Sequence, residues 1–297
     1  DAAILRELLP KIGNDNAKGE YYLTDIVALA NDAGHSVALV TCPEHEIQGV
    51  NNRAELAAVE AEFQRRYRAK AMEEGATLIA PETVFLSADT QIGTDVVIEP
   101  HVVIGSGVRI GNNTVIRSFC HLENAIVGEN VELGPYARIR PGTELADSVK
   151  IGNFVETKKA VIGEKSQASH LTYIGDASLG KNVNVGCGTI TCNYDGVNKH
   201  QTTIGDDVFV GSDVQFVAPV TIGRGSLIGA GSTITMDVPA DALAISRVEQ
   251  KNIAGWAEKN RQKRKKDKKE KGARRAINGL KRKEALRALA AEVLRLD

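Results

Sequence analysis

The sequence is poor in aromatic residues and contains no long apolar stretch. Only 4% of its 297 residues are Phe, Trp or Tyr, although 42% are hydrophobic. A membrane-spanning helix needs about 18 or more consecutive, mostly apolar residues, so no membrane span is expected. With so few aromatic rings, the core must be built mainly from Val, Ile, Leu and Ala around glycine turns, which favours a repetitive β architecture.

Cysteine is also scarce. The four cysteines include no CxxC pair, and their spacing indicates neither a disulfide framework nor a cysteine metal site. We therefore expect a reducing, cytoplasmic setting.

Charge is distributed unevenly along the chain. The formal net charge is −1, but residues 258–284 contain 14 Lys or Arg and 4 Asp or Glu. We expect residues 257–297 to form a separate basic tail, helical or disordered and solvated. Its end has apolar residues at helical spacing, namely Leu286, Leu289, Val293 and Leu296. Binding of nucleic acid is the less favoured interpretation of this charge.

The first 75 residues have mixed patterns. LTDIVALAND and AELAAVEAEFQRRYRAKAMEEG predict helices, and HSVALVTC predicts a short strand. The chain starts at Asp1 within a helical pattern and without methionine, so we expect a piece of a longer protein.

From Leu86 onward an aliphatic residue recurs every six positions. The repeated positions are Leu86, Ile92, Ile98, Ile104, Ile110, Ile116 and Leu122, then Leu133, Ile139, Leu145 and Ile151, and later Ile204, Val210, Phe216, Ile222, Ile228 and Ile234. A period of six fits neither a helix of period 3.6 nor an ordinary meander. It predicts a parallel β-helix with three short strands per coil and roughly eight or more coils of about 18 residues.

This pattern divides the chain into four segments. We expect a remnant of another domain at 1–55, a linker helix at 56–75 that covers one open end of the β-helix, the β-helix at 76–256 and the basic tail at 257–297. Two irregular segments interrupt the repeat, at residues 153–176 and between Val185 and Ile204. Insertions into a solenoid usually lie on its binding face.

The first irregular segment lies in the coils that carry Arg140, Lys158, His170 and Tyr173. Residues about 18 apart stack in neighbouring coils, so Arg140 should lie beside Lys158. Two cations without an acidic partner favour an anionic ligand such as a phosphate. Ala168 takes an inward position, which places His170 just outside the core.

His170 has two interpretations at this stage. Its ordinary pKa makes it a competent general base at neutral pH, but a single histidine is more often a packing or surface residue. The loop CNYDGVNK has the composition of a turn and is a weak signal by itself. Beside a cationic site it could supply hydrogen bonds to a sugar.

The runs LPKIGNDNAKGEYYLTDIVALA, RIRPGTEL, GNFVETKKAVIG, SHLTYIGDA, GTITCNYDGVNK and TTIGDDVFVGSDVQFVAPVTIG resemble the bifunctional bacterial GlmU family. Members acetylate glucosamine 1-phosphate and uridylylate the product to UDP-N-acetylglucosamine. The resemblance extends from about Leu9 to Trp256. It implies a mainly β fold, a left-handed parallel β-helix of hexapeptide repeats, and a homotrimer with sites between the prisms.

The resemblance also assigns roles to individual residues. It implies that His170 is the general base toward the sugar amine. Residues implied to hold glucosamine 1-phosphate are Arg140, Lys158, Tyr173, Asn184 and Lys199. Residues implied to border the cosubstrate acetyl-CoA are Cys187, Asn193, Tyr194, Ser212, Ala230 and Arg247, with Cys187 standing where the family commonly has alanine.

For the family's uridylyl transfer, the resemblance implies a Mg²⁺ site to which Asn51 belongs. The glycine-rich nucleotide loop and the metal-binding aspartate of the family have no counterpart in this sequence. One ligand does not make a metal site. We therefore expect no uridylyl transfer by this chain.

Two other functional hypotheses remain open on the sequence. The β-helix could be a noncatalytic domain that trimerises or regulates a nucleotidyltransferase. Alternatively, it could be a platform for a basic tail that binds nucleic acid.

Overall fold

A computed structural model describes residues 1–272 and 274. The chain divides into two compact units, Asp1–Ile245 and Ser246–Asp297. The apolar positions from Leu286 to Leu296 lie outside the described residues.

The first unit opens with three α-helices. They are α1 (Ala2–Leu8), α2 (Ile26–Asp32) and α3 (Arg53–Glu73), with short 3₁₀ helices at Leu9–Lys11, Leu23–Asp25, Glu44–Glu46 and Pro81–Thr83. Helix α3 begins with an N-cap, in which the Asn52 side-chain oxygen accepts from the amide of Glu55 and the Asn52 side-chain nitrogen donates to the Glu55 carboxylate. Helices α2 and α3 lie in the two segments for which the sequence predicted helices.

The strand predicted at HSVALVTC is wrong. Residues 35–42 form no strand, and Leu39 and Val40 are almost fully exposed. A strand of this kind gains stability only from partners on each side and from a covered face. No strand among the described residues pairs with this segment.

The rest of the first unit is a stack of short parallel strands. They are β1 (Thr77–Leu78), β2 (Phe85–Leu86), β3 (Gln91–Ile92), β4 (Val97–Ile98), β5 (Val103–Ile104), β6 (Arg109–Ile110), β7 (Val115–Ile116), β8 (His121–Leu122), β9 (Ala125–Val127), β10 (Glu132–Leu133), β11 (Arg138–Ile139), β12 (Thr143–Leu145), β13 (Lys150–Asn153), β14 (Glu156–Ile162), β15 (Gln167–His170), β16 (Tyr173–Leu179), β17 (Asn184–Val185), β18 (Ile190–Cys192), β19 (Thr202–Ile204), β20 (Phe209–Val210), β21 (Gln215–Val217), β22 (Val220–Ile222), β23 (Leu227–Ile228), β24 (Thr233–Ile234) and β25 (Leu243–Ala244).

The strands form three faces of a prism. The first face has the order β1-β4-β7-β10-β13-β15-β17-β20-β23-β25. The second contains β2, β5, β8, β11, β18, β21 and β24, and the third contains β3, β6, β9, β12, β19 and β22. The long strands β14 and β16 belong to both: their first residues pair on the second face and their last residues on the third. This is the predicted left-handed parallel β-helix of hexapeptide repeats, with about nine turns.

The six-residue repeat forms the core. Every repeated aliphatic position named above is buried except Ile92, which is half-buried near the end of the prism. Ala168 is also buried, as predicted. Burying one Ile or Leu side chain contributes about 1.5–3 kcal/mol, so the stacked aliphatic residues are the main source of stability.

Helix α3 covers the first coil, as the sequence predicted. The buried side chain of Gln64 donates to the Leu86 carbonyl (2.7 Å) and accepts from the Leu86 amide (3.0 Å). Tyr67 donates to the Ala88 and Thr90 carbonyls. The Gln64 amide thus replaces the strand that β2 lacks on its outer edge.

One corner of the prism carries a ladder of stacked aromatic rings. His101, Phe119, Tyr136 and Phe154 lie in successive coils, with ring centroids 5.0, 4.8 and 5.2 Å apart. All four have positive φ, a conformation that L residues adopt rarely. Stacking offsets part of this backbone strain and stiffens the corner that leads toward His170.

The described part of the second unit is mainly helical, over residues 256–272. Its charged side chains are exposed. Across residues 1–272 and 274, no helix has the length and apolar character that crossing a membrane requires.

Candidate functional site

His170 lies at a corner of the prism, where β15 ends. Its partner in the neighbouring coil is Asn153, at the end of β13. The Asn153 Oδ1 atom is 2.7 Å from His170 Nδ1. An amide oxygen only accepts, so this contact holds the proton on Nδ1 and leaves the lone pair on Nε2. The exposed imidazole is therefore oriented to accept a proton from a ligand.

The strand register extends this corner into a column. The pairs Ala168–Val185, Val185–Val210 and Val210–Ile228 align four successive coils. The residues two positions after the paired ones therefore lie one above the other in successive coils. They are His170, Cys187, Ser212 and Ala230. Coils are about 4.8 Å apart, so the column extends about 14 Å from His170 to Ala230.

Asn184 lies beside this column on the first face. It opens β17, and its Oδ1 accepts a hydrogen bond of 2.8 Å from Gln167. It is one coil above Gln167 and three residues before Cys187.

Arg140 and Lys158 occupy neighbouring positions at the end of the second face, as predicted. The pairing of Ile139 with Thr157 places them side by side. However, the expectation that these two cations lack an acidic partner is wrong. Arg140 NH1 forms an ion pair of 2.6 Å with Glu156 Oε1, and both side chains are about one-third exposed.

The alternation of side chains along a strand explains this pairing. Glu156 and Lys158 are two residues apart in β14, so both project outward. Arg140 consequently has the Glu156 carboxylate beside it, which the basic residues of this segment did not indicate in the sequence. Among the described residues, no ion pair or hydrogen bond involves the Lys158 ammonium group, so Lys158 is the more available cation.

Tyr173, Asp176 and Asn193 form a polar cluster beside Lys158. The Tyr173 hydroxyl fills the space that a Cβ on Gly175 would need, so the glycine is required there. Asn193, only 5% exposed, donates to Asp176 Oδ2 (2.5 Å) and lies 3.5 Å from the Tyr173 hydroxyl. The Asn193 carboxamide therefore orients neighbouring side chains of its own chain.

The loop 193–200 protrudes from the coil above this cluster. Tyr194 and Lys199 face each other in an antiparallel bridge, and Lys199 Nζ lies 4.3 Å from the centre of the Tyr194 ring. Both side chains are exposed. An ammonium group over an aromatic face is held by a cation–π interaction, so the two predicted site residues form one unit.

Three relevant residues were not identified from the sequence. Asn153, Glu156 and Asp176 each contact a predicted site residue. Each lies 16 or 17 positions from its partner, which is close to one coil. That spacing was the available signal for all three.

Two predicted residues belong to other parts of the chain. Arg247 lies in the second unit. Asn51 lies just before α3, where its side chain donates to Glu55. Among the described residues, no group of three His, Cys, Asp or Glu side chains could hold a metal ion. The residues around Asn51 thus do not fit a Mg²⁺ site, and no step is derived through that ion.

Two protein-family models match the prism. The model described as the GMPPB C-terminal domain matches residues 74–162, and the model described as bacterial transferase hexapeptide (six repeats) matches residues 201–235. Among solved structures, a UDP-N-acetylglucosamine acyltransferase from Arabidopsis is similar with a TM-score of 0.44 and 13% identity, covering 60% of this chain and 73% of that chain.

Curated relatives match most of the chain. A protein from Zymomonas mobilis named bifunctional protein GlmU is 56% identical over 259 residues, which cover 87% of this chain and 58% of the relative. Proteins of the same name from Jannaschia sp. and Xanthobacter autotrophicus are 51% and 55% identical, each over 88% of this chain and 58% of the relative. The chain spans about 58% of the length of these relatives. Over the part that these alignments cover, it belongs to the GlmU family.

Proposed function

We propose that this chain is an acyltransferase that moves the acetyl group of acetyl-CoA to the 2-amino group of glucosamine 1-phosphate. The observation that carries the proposal is the Asn153–His170 pair, which presents an exposed Nε2 lone pair three residues before Tyr173. The high identity to proteins named bifunctional protein GlmU supports the choice of substrate. The product would enter the synthesis of UDP-N-acetylglucosamine, a precursor of the cell wall.

In the proposed reaction, the neutral sugar amine attacks the thioester carbonyl carbon and forms a C–N bond. His170 Nε2 takes the proton that the amine loses. The tetrahedral intermediate then collapses, the C–S bond breaks, and coenzyme A leaves as a thiolate that takes up the proton from the imidazolium. No bond to the enzyme forms, so much of the rate gain comes from holding amine and thioester together.

Lys158 would carry the main attraction for the sugar phosphate. An ammonium group without an acidic partner is available to a phosphate, whereas Arg140 must share its charge with Glu156. Tyr173, Asn184 and Lys199 would join it in holding the sugar phosphate.

Acetyl-CoA would lie along the corner column. Starting beside His170, it would pass Cys187, Ser212 and Ala230, where small side chains leave room for an elongated ligand. Asn193 and Tyr194 would border the same channel. By family resemblance, a neighbouring copy in a homotrimer would complete each site.

The domain boundaries stated above remain part of this proposal. Residues 76–256 would form the acetyltransferase domain, 56–75 the linker helix, 1–55 the remnant of a nucleotidyltransferase domain, and 257–297 the basic tail.

The test is an assay of coenzyme A release from acetyl-CoA with glucosamine 1-phosphate. His170→Ala should lower kcat by roughly 10²–10⁴-fold, the usual contribution of a general base. His45→Ala, which changes a half-buried histidine outside the site, is the matched control. A wild-type chain that releases no coenzyme A would overturn the proposal and favour a noncatalytic β-helix. Equal activity of His170→Ala would remove His170 from its role.

A further inference from the structure

One carboxylate supplies three of the contacts that shape the loop 193–200. Asp195 Oδ1 accepts from the amides of Val197 (2.7 Å) and Asn198 (2.6 Å), and Oδ2 lies 2.7 Å from His200 Nε2. The first two bonds are those by which an aspartate closes a turn on its own backbone. The third joins the turn to the residue where the loop returns to the prism.

The backbone supplies only part of this closure. The His200 amide donates to the Asn193 carbonyl (2.9 Å) and the Asp195 amide to the Asn198 carbonyl (3.2 Å). The loop is otherwise exposed, and Gly196 at its tip has nothing within 4 Å of its missing Cβ. Without the Asp195 contacts, the segment that carries Tyr194 and Lys199 would have much more conformational freedom.

We propose that Asp195 and His200 are positioning residues that clasp the loop and hold Lys199 over Tyr194 in the orientation that receives the sugar phosphate. This inference rests on the proposed acetyl transfer. A preorganised loop binds its ligand without having to be ordered at that moment, and a loosened one must be ordered on binding. The clasp therefore acts on substrate affinity, whereas His170 acts on the chemical step.

The hydrogen bonds of the clasp favour the ionised carboxylate. The backbone amide of Asn198, followed by His200 and the amide of Val197, holds the pKa of Asp195 well below its usual range. The carboxylate is thus charged, and a strong acceptor, over the whole range in which the enzyme would be assayed.

The experiment compares four single variants and one double variant in the coenzyme A release assay. Asp195→Ala removes the whole clasp, and His200→Ala removes one donor. His200→Gln keeps a donor at a similar reach. Lys199→Ala removes the group that the clasp is proposed to position. We expect Asp195→Ala to raise KM for glucosamine 1-phosphate about tenfold, with kcat within about twofold of wild type, as loss of a charge-assisted contact predicts.

Two further readouts distinguish positioning from a general effect on folding. His200→Gln should restore most of the affinity that His200→Ala loses, and the melting temperature should be unchanged because the loop packs outside the prism. The double variant Asp195→Ala/Lys199→Ala should bind no more weakly than Lys199→Ala, since the two residues act as one unit.

Additive losses in the double variant, or a fall in kcat with an unchanged KM, would overturn the clasp. If the wild type is active, His170→Ala is inactive and Asp195→Ala has the KM of the wild type, the clasp alone is rejected. An inactive wild type would instead reject the proposed acetyl transfer on which the clasp depends.

Discussion

Asn153 and His170 lie opposite each other in adjacent coils, and the Asn153 Oδ1 atom is 2.7 Å from His170 Nδ1. This contact selects the imidazole tautomer with Nε2 free to take a proton. It makes the neighbouring coil part of the proposed catalytic machinery.

Replacing Asn153 tests this relationship. Asn153→Leu removes the acceptor, so the imidazole loses its fixed tautomer, and kcat should fall roughly ten- to a hundredfold, a part of what a general base contributes. Steady-state kinetics would measure it. A kcat equal to that of the wild type would show that Asn153 does not orient the base.

Asn153→Asp makes a different prediction, concerning pH. A carboxylate beside Nδ1 would stabilise the imidazolium form of His170 in that variant. Because only the neutral imidazole accepts a proton, the acidic limb of the kcat profile should move to higher pH. A limb that stays in place or moves to lower pH contradicts this reasoning.

Lys158 and Lys159 form a matched pair of adjacent lysines. Lys158 projects from the second face beside the pair Arg140–Glu156, whereas Lys159 is exposed at the following corner with positive φ. Lys158→Ala should raise KM for glucosamine 1-phosphate about tenfold, since it removes a charge-assisted phosphate contact. Lys159→Ala should leave KM unchanged. Equal effects of the two variants would indicate a diffuse electrostatic attraction in place of a defined phosphate site.

Gln64 is predicted to stabilise the first coil. Gln64→Ala would leave the amide and the carbonyl of Leu86 without partners, and each unpaired buried group costs about 1–3 kcal/mol. Urea unfolding should show this loss. Arg65→Ala on the exposed side of α3 is the control and should have a much smaller effect. A loss no greater than that of the control would mean that water replaces the Gln64 contacts.

Cys120 is predicted to be unreactive in the folded protein. Burial raises the pKa of its thiol to about 11, against an ordinary 9.0. Iodoacetamide at pH 8 should therefore label exposed Cys42 and spare Cys120, as peptide mass mapping would show. Since the folded state holds this proton more tightly, the thiol's contribution to stability should be present below pH 9 and be lost as the pH rises toward 11. Rapid labelling of Cys120 would contradict this.

The six-residue period predicted the prism because the equivalent positions of every coil face the core. One aliphatic position per strand determines which side faces inward, and the structure keeps that assignment from Leu86 to Ile234. The short strand at 35–42 could not be judged in this way, since a local pattern does not reveal whether a partner strand is present. Leu39 and Val40 are apolar in sequence and exposed in the structure.

The site was only partly predictable. Spacing near 18 identified Arg140 and Lys158 as neighbours, but it did not show that Glu156, two residues before Lys158, pairs with Arg140. Asn153 was missed because its separation from His170 is 17 residues, one fewer than the expected coil of 18. Side-chain partners in a solenoid are separated by whole coils, and coil lengths vary where the chain is irregular.

The prism repeats equivalent coils along its axis, and this repetition determines how its height can change. The proposed site occupies a contiguous set of coils, from Arg140 to Ala230, while α3 covers the first coil at Leu86. Removing one entire coil between these regions would bring the helix about 4.8 Å closer to the site without altering any distance within it. Deleting a single residue there would instead turn every later inward side chain toward another direction. The prism can therefore vary in height by whole coils and preserve its chemistry.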